Sequence, residues 1–409
     1  MENGQTSAFL HTEIHTGDAA FDDLRSEWDE LLDASSQQVY FLRRHWNQTW
    51  WQTFQPSHSR LFIITCRDAS DRLVGLAPLY WRQRTNAGID HIREILFLGT
   101  GVFAQTSEYL DLIARRGYER EVASAVAEVL KAESDWDKLW LSEIPAASVV
   151  LPYFEQALGS GLETTACQNA HYVDTATDWE SFKQTLGRTT RQNTQRLARR
   201  LFETYDCRFS RVETADELER GMEALVQLHQ ARWQMKGEPG SFALPGLERL
   251  LRQAARDALD EGRLRLWTLE IDGALAAVQL AFLDNGTAHC FQVGFSPDYA
   301  KDSIGKVMLM LCIKDCVEDP MVREYDLMSG DQPYKECWAK GERQNLRLVW
   351  LRSGLRSLTY ISLKLADQFG RSMARAVLPP AVKMAGHRML ERRHYSQPPQ
   401  LSALTLPSR

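Results

Sequence analysis

The stretch RLFIITCRDASDRLVGLAPLYW, residues 60–81, has a counterpart in RLRLWTLEIDGALAAVQLAFLD, residues 263–284. Each is a pair of apolar, strand-length runs around a polar turn, and Asp272-Gly273 is a strong tight-turn signal. Each hairpin is followed by strand, helix and strand patterns. The copies lie roughly a domain length apart, so the chain reads as an internal duplication of two α/β units of similar topology. The competing arrangement is one large mixed sheet.

Periodicity fills in the rest. The first half predicts a strand over Phe9–His15, helices over Phe21–Leu32 and Arg43–Phe54, and strands over Arg60–Arg67, Leu73–Trp81, Ile92–Leu98 and Glu108–Ala114. A helix over Tyr118–Ala132, a strand over Lys138–Glu143 and a helix over Val149–Leu158 follow. The second half predicts a strand at Cys207–Val212, helices at Ala215–Trp233 and Leu247–Glu261, and strands at Arg263–Ile271, Ala274–Leu283 and His289–Phe295. It ends with a helix over Lys306–Val317 and a strand over Arg323–Met328.

Between the halves, residues 178–201 read as two helices broken near Gly187, the second dense in arginine: Arg188, Arg191, Arg196, Arg199 and Arg200. This is either a solvated connector helix or an anion-facing one. After Trp350 an amphipathic helix over 353–377, with Arg356, Lys364, Arg371 and Arg375 off its apolar face, is stopped by Pro379-Pro380. Such a helix can pack across the domains or lie on an anionic membrane surface. The expected organisation is an N-terminal domain (1–175), a basic connector (176–205), a C-terminal domain (206–352), an amphipathic helical extension (353–395) and a disordered tail (396–409).

The formal net charge of -6 argues against a broad nucleic-acid surface. Seven scattered cysteines without a CxxC pair, together with a polar, acidic N-terminus, give the expectation of a reducing, cytoplasmic setting. No apolar run approaches the roughly 20 residues of a spanning helix, and the histidines are too dispersed for a metal site.

Three clusters can carry chemistry. Asp302–Lys306 opens a helix after a three-stranded meander, where unpaired N–H groups can hold a phosphate, Gly305 permits close approach and Lys301 and Lys306 add charge; a plain helix cap is the alternative. DLMSGDQPYKECW, 326–338, gathers Asp326, Asp331, Tyr334 and Lys335 at a strand end, where a proton donor and acceptor can meet, although Asp331 can equally cap the helix at Tyr334. His229, Arg232, Trp233 and Lys236 share a helical face, either as a wall for a polar substrate or as a solvated helix end stopped by Gly237. There is no GxSxG, HExxH, Walker-type GxxxxGK[ST] or GxGxxG pattern.

HQARWQMKGEPGSF, the second hairpin, FQVGFSPDYAKDSIGKVMLMLCIKDC and YDLMSGDQPYKECWA together resemble the CelD/BcsL-type acetyltransferases. That family belongs to the GNAT superfamily, is associated with cellulose and other exopolysaccharide biosynthesis, and is similar to the FemABX peptidyltransferases. The resemblance implies a mixed α/β fold of tandem GNAT-like domains. It implies acetyl-CoA or another acyl-CoA as co-substrate, without a metal, and an amino sugar or polysaccharide precursor as acceptor. Ser303–Lys306 would hold the CoA pyrophosphate, and Gln292, Val293, Gly294 and Phe295 the pantetheine arm. Tyr334 would protonate the leaving thiolate, and Asp331 or His229 would take the acceptor's proton. Arg232, Trp233, Lys236, Lys335 and Trp338 would contact the acceptor. The family usually has Pro-Gly where this chain has Ile304-Gly305. The rival readings are a FemABX-like aminoacyl transferase, the only one that brings in tRNA, and a silent GNAT-like module of a membrane-associated synthase complex. Peripheral membrane contact would run through 354–393.

Overall fold

The computed structural model describes residues 10–86, 90–102, 106–330, 332–354 and 357. The expected extension beyond residue 357, the tail 396–409 and Asp331 lie outside the described residues.

The first half holds β1 (His11–His15), β2 (Ser59–Leu61), β3 (Ile63–Arg67), β4 (Leu73–Ala77), β5 (Leu79–Asn86), β6 (Asp90–Phe97), β7 (Ile113–Ala114), β8 (Lys138–Pro145) and β9 (Leu162–Asp174). Its helices are α1 (Ala20–Asp23), α2 (Trp28–Asp33), α3 (Arg44–Phe54), α4 (Glu119–Ala132) and α5 (Leu151–Leu158). Helices α6 (Trp179–Thr185) and α7 (Arg188–Thr204) connect to the second half. There follow β10 (Cys207–Arg211), α8 (Ala215–Met235), α9 (Leu247–Asp260), β11 (Leu264–Ile271), β12 (Ala274–Asp284), β13 (Thr287–Phe295), α10 (Ile304–Glu318), β14 (Glu324–Ser329), α11 (Pro333–Glu336) and β15 (Gly341–Leu351).

The repeated order is present in both halves, but the halves do not keep separate sheets. One eleven-stranded sheet runs β10-β11-β12-β13-β14-β9-β15-β8-β6-β5-β2, and a small sheet runs β1-β3-β4-β7. The last strand of each half is exchanged. β9, from the first half, pairs antiparallel with β14 of the second, and β15 pairs antiparallel with β8 of the first. β9 and β15 pair with each other at the centre, Tyr172 opposite Gly341. On either side lies one parallel pair: β6 with β8, Glu94 opposite Lys138, and β13 with β14, Thr287 opposite Glu324.

Several elements differ from the sequence expectation. The predicted strands over 60–67 and 73–81 are each broken, at Phe62 and Pro78, so their parts next to the turn, β3 and β4, join the small sheet. Pro78 has no N–H with which to continue a ladder. The predicted helix over 21–32 is two short helices, and the predicted strand over 108–114 shrinks to Ile113–Ala114, with Tyr109 in a left-handed conformation (φ 57). The exchanged strands β9 and β15 had no sequence expectation at all.

Alternate side chains of the second-half hairpin enter two cores. Leu266, Val278, Leu280 and Phe282 pack with α8, α9 and the first half, while Trp267, Leu269, Ala277 and Ala281 pack with α10. Aromatic side chains join the halves: Tyr40 stacks on Phe282 with centroids 4.3 Å apart, and Trp46 meets Phe282 and Phe291. Beside them Arg43 donates to both oxygens of Asp284, at 2.5 and 2.9 Å, with both side chains buried.

Candidate active site

The parallel pairing of β13 and β14 stops after three residue pairs, at His289 opposite Asp326, although both strands continue. A β-bulge explains one side of the break. Cys290 pairs with Ala281 and Gln292 with Leu280, so Phe291 is an extra residue that re-aims the strand. On the other side Met328 is left-handed (φ 61), and its N–H turns back to Asp326 Oδ1 at 2.7 Å. Gln292, Val293, Gly294 and Phe295 therefore keep an edge toward β14 that no strand among the described residues occupies.

Helix α8 closes one face of this edge. A Cβ placed on Gly294 would lie 2.7 Å from Leu225 O and 2.8 Å from His229 N, so only glycine admits the helix backbone here. His229 is buried between Trp233 and Phe242, and burial pushes its imidazole down to about 4, so it is neutral at pH 7. Arg232 lies 4.3 Å from the centroid of the Phe295 ring, and Lys236 lies 4.8 Å from that of Trp233.

The start of α10 lies against the end of β13. Ser303 precedes the helix in a left-handed conformation (φ 57), and no side chain caps the first turn. A Cβ on Gly305 would lie 2.8 Å from the Phe295 ring, so Gly305, Phe295 and Arg232 form one stack. Ile304 is buried, while Lys306 is exposed beside the uncapped turn. The arginine-rich α7 reaches the same place, with Arg200 pairing with Asp302 at 2.5 Å. The Ser303 and Lys306 N–H groups donate to Ala300 O and Ser303 O, and with the helix dipole and nearby cations the rest of this first turn can hold a phosphate group.

Tyr334 stands at the start of α11, 45% exposed. Partial burial and Cys290 push its phenol up to about 12 against the pull of Arg232, so it holds its proton at neutral pH. Lys335 is buried, and its ammonium donates to Met328 O at 3.0 Å and Ser329 O at 2.6 Å, bracing the irregular end of β14. Trp338 is 5% exposed and packs in the α10 core. The structure thus brings Gln292–Phe295, Ser303–Lys306, His229, Arg232 and Tyr334 around one strand edge, and turns Lys335 to the β14 backbone and Trp338 into the α10 core.

One carboxylate group has no counterpart in the sequence reading. Glu108, from the first half, accepts from Ser329 N at 3.0 Å and from Ser329 Oγ at 2.7 Å. Burial pushes its carboxyl up to about 8, with Asp326 and Glu143 adding to the rise against the pull of Ser329. Next to it, His289 Nδ1 lies 3.6 Å from Asp326 Oδ2, and Arg343 binds Glu324 while facing Asp326 at 3.6 Å. Burial alone would raise Asp326, but the His289 ring and the Tyr109 hydroxyl outweigh it and hold the carboxyl below its ordinary range.

Residues 188–336 match the family model of the acetyltransferase (GNAT) domain. The chain therefore carries a GNAT-type acyltransferase domain, and the opened edge and the α10 start both lie inside it. No curated protein matches the sequence. Among solved structures, FemX is similar at 10% identity and a TM-score of 0.56, over 84% of this chain and 97% of that one. A conserved protein of unknown function from Bacteroides thetaiotaomicron VPI-5482 is similar at 10% identity and a TM-score of 0.52, over 83% and 100%. L-PGS from Bacillus licheniformis is similar at 12% identity and a TM-score of 0.50, over 85% and 96%. At such identities the likeness is one of fold, and it spans both halves.

Proposed function

We propose that the chain is an acyl-CoA-dependent N-acyltransferase, transferring an acetyl group to an amino sugar or polysaccharide precursor of exopolysaccharide biosynthesis. The observation that carries this is the juxtaposition of the uncapped α10 start with the unpaired edge Gln292–Phe295. The Ser303–Lys306 turn would bind the CoA pyrophosphate, through the Ile304 and Gly305 N–H groups, since those of Ser303 and Lys306 donate to Ala300 O and Ser303 O; the edge would pair with the pantetheine amides. The acceptor amine would attack the thioester carbonyl, forming the C–N bond as the C–S bond breaks.

Two proton transfers complete the reaction. Glu108, hydrogen-bonded to Ser329 at the end of β14, would take the amine proton once it is ionised, toward and above about 8, whereas His229, near 4, is a weak base. Tyr334 would give its proton to the leaving thiolate. The membrane contact expected through 354–393 remains part of the reading; among the described residues no helix is long and apolar enough to cross a membrane.

A second reading is a FemABX-like aminoacyl transferase. The approach of arginine-rich α7 to the α10 start through Arg200 and Asp302 favours it, since extra cations there suit a larger anionic donor. Thermal melts separate the two, because a ligand of the native state raises its stability. Acetyl-CoA should raise the melting temperature saturably. A shift with aminoacyl-tRNA and none with any acyl-CoA would transfer the assignment to the second reading. Mass spectrometry of ligands carried through purification should detect a CoA species.

A further inference from the structure

The C-terminal end of α8 carries cations that no acid answers. Arg232 is partly buried, with its guanidinium 4.3 Å from the Phe295 ring centroid and 5.7 Å from that of Trp233. It makes no hydrogen bond or ion pair among the described residues. Burial, the larger influence on it, disfavours its charge, and only the Tyr334 oxygen acts the other way. Lys236, four residues on, is exposed, lies 4.8 Å from the same Trp233 centroid and has no acid partner among the described residues either. The indole they share keeps its own Nε1 buried without an acceptor.

The chain after α8 holds this group in place. Glu238 N–H donates to Trp233 O at 3.0 Å, Gln230 Nε2 donates to Pro239 O at 3.0 Å, and a Cβ on Gly240 would lie 3.1 Å from Trp233 Cβ. Trp233 is thereby fixed, and with it the two cations on its ring. Glu238, the nearest acid along the chain, is exposed and pairs with neither cation. A guanidinium partly withdrawn from water costs free energy unless an anion meets it.

The position of Arg232 decides which substrate that anion belongs to. α8 packs on one face of the sheet and α10 on the other. The donor's phosphates are assigned to the α10 start, which leaves the α8 side, next to Tyr334, for the acceptor. We infer that the acceptor carries an acidic group, a phosphate or a carboxylate, held by Arg232 and Lys236. An arginine fork fits either oxyanion, and a lysine adds a point charge. A neutral amino sugar would leave both cations unmet. The inference rests on the acyl-transfer reading and narrows its acceptor to acidic amino sugars and amino-sugar phosphates.

Calorimetry on the full chain tests it. CoA is titrated first, and absence of CoA binding would remove the acyl-transfer reading and this inference with it. With CoA saturating, so that the donor's phosphate seat is filled, inorganic phosphate and D-glucuronate are titrated at constant ionic strength set with chloride. The expected result is saturable binding of at least one of them, weakened about tenfold or more in Arg232→Gln and in the exposed Lys236→Gln, with CoA affinity kept within about threefold. Whichever oxyanion binds tighter identifies the acidic group. Binding of neither to the CoA-loaded chain, or binding that keeps its affinity in either variant, overturns this inference and leaves the acyl-transfer reading standing. So does a loss of CoA affinity of about tenfold in Arg232→Gln, which would assign the guanidinium to the donor.

Discussion

Glu108 and Ser329 stand 221 residues apart in the chain, yet the carboxylate of one receives both the backbone N–H and the hydroxyl of the other. This joins an irregular segment of the first half to the bulged end of β14 in the second. The carboxyl titrates near 8 in the fold against an ordinary 4.5. In the acyl-transfer reading, activity of the native enzyme should rise with pH through about 8, and Glu108→Gln should lose that limb and about 10²-fold or more in kcat/KM. Stability gives a separate readout. A carboxyl raised by folding contributes stability that is complete below pH 4.5 and is lost as pH rises toward 8. Relative to the native chain, Glu108→Gln should therefore gain on the order of a few kcal/mol between those limits, measured as melting temperature against pH. A pH-independent difference would remove the buried carboxyl from the account.

Tyr334 is nearly half exposed, so removing its hydroxyl should cost little stability. If it protonates the leaving thiolate, Tyr334→Phe should lower kcat by about 10²-fold, with KM for the acyl donor nearly unchanged. An unaltered kcat would exclude the phenol as donor, leaving solvent to protonate the thiolate.

Local signals in the chain carry local structure. Asp272-Gly273 has positive φ at both residues (50 and 82), as a tight hairpin turn requires, and both flanking strands alternate their side chains between two cores. That hairpin, the α10 start and the break at Gly187 were all legible for this reason. β9 and β15 were not. Each is partly polar, and what makes it a strand is a partner from the other half, Tyr172 against Gly341 and Leu348 against Leu141. Glu108 was hidden in the same way: nothing in its neighbours Ser107 and Tyr109 announces Ser329. The Ile304 departure from the usual Pro-Gly start is accommodated because Ile304 turns into the α10 core, leaving Gly305 to meet Phe295.

The close approach of α8 to β13 predicts a steric outcome. Gly294→Ala would set a methyl 2.7 Å from a carbonyl oxygen and 2.8 Å from an amide nitrogen, both of the α8 backbone, which cannot swing aside as a side chain can. A cost of about 1–3 kcal/mol is expected, as for other overpacked sites, read as a lower urea midpoint. Because His229 moves with that backbone, ligand-induced stabilisation should fall as well. Gly17→Ala, exposed where an added Cβ meets nothing within 4 Å, serves as the control and should change neither.

The ion pair of Arg43 and Asp284 tests whether the halves act as one cooperative unit. Arg43 closes the turn before α3 in the first half, and Asp284 ends β12 in the second, so separating the halves breaks the pair. Arg43→Met would leave a buried carboxylate with Arg263, 3.0 Å away, as its remaining cation. A loss of about 3–5 kcal/mol is expected for one buried partner removed from such a pair, reduced by what Arg263 recovers. Asp284→Leu should cost a comparable amount, because Arg43 is then left with Asp33 alone. The double variant should be more stable than the sum of the single losses by at least about 1 kcal/mol, since no unpaired charge remains buried between the halves. Additive losses, or a second melting transition in the native chain, would mean that the halves unfold independently and that the shared sheet does not couple them.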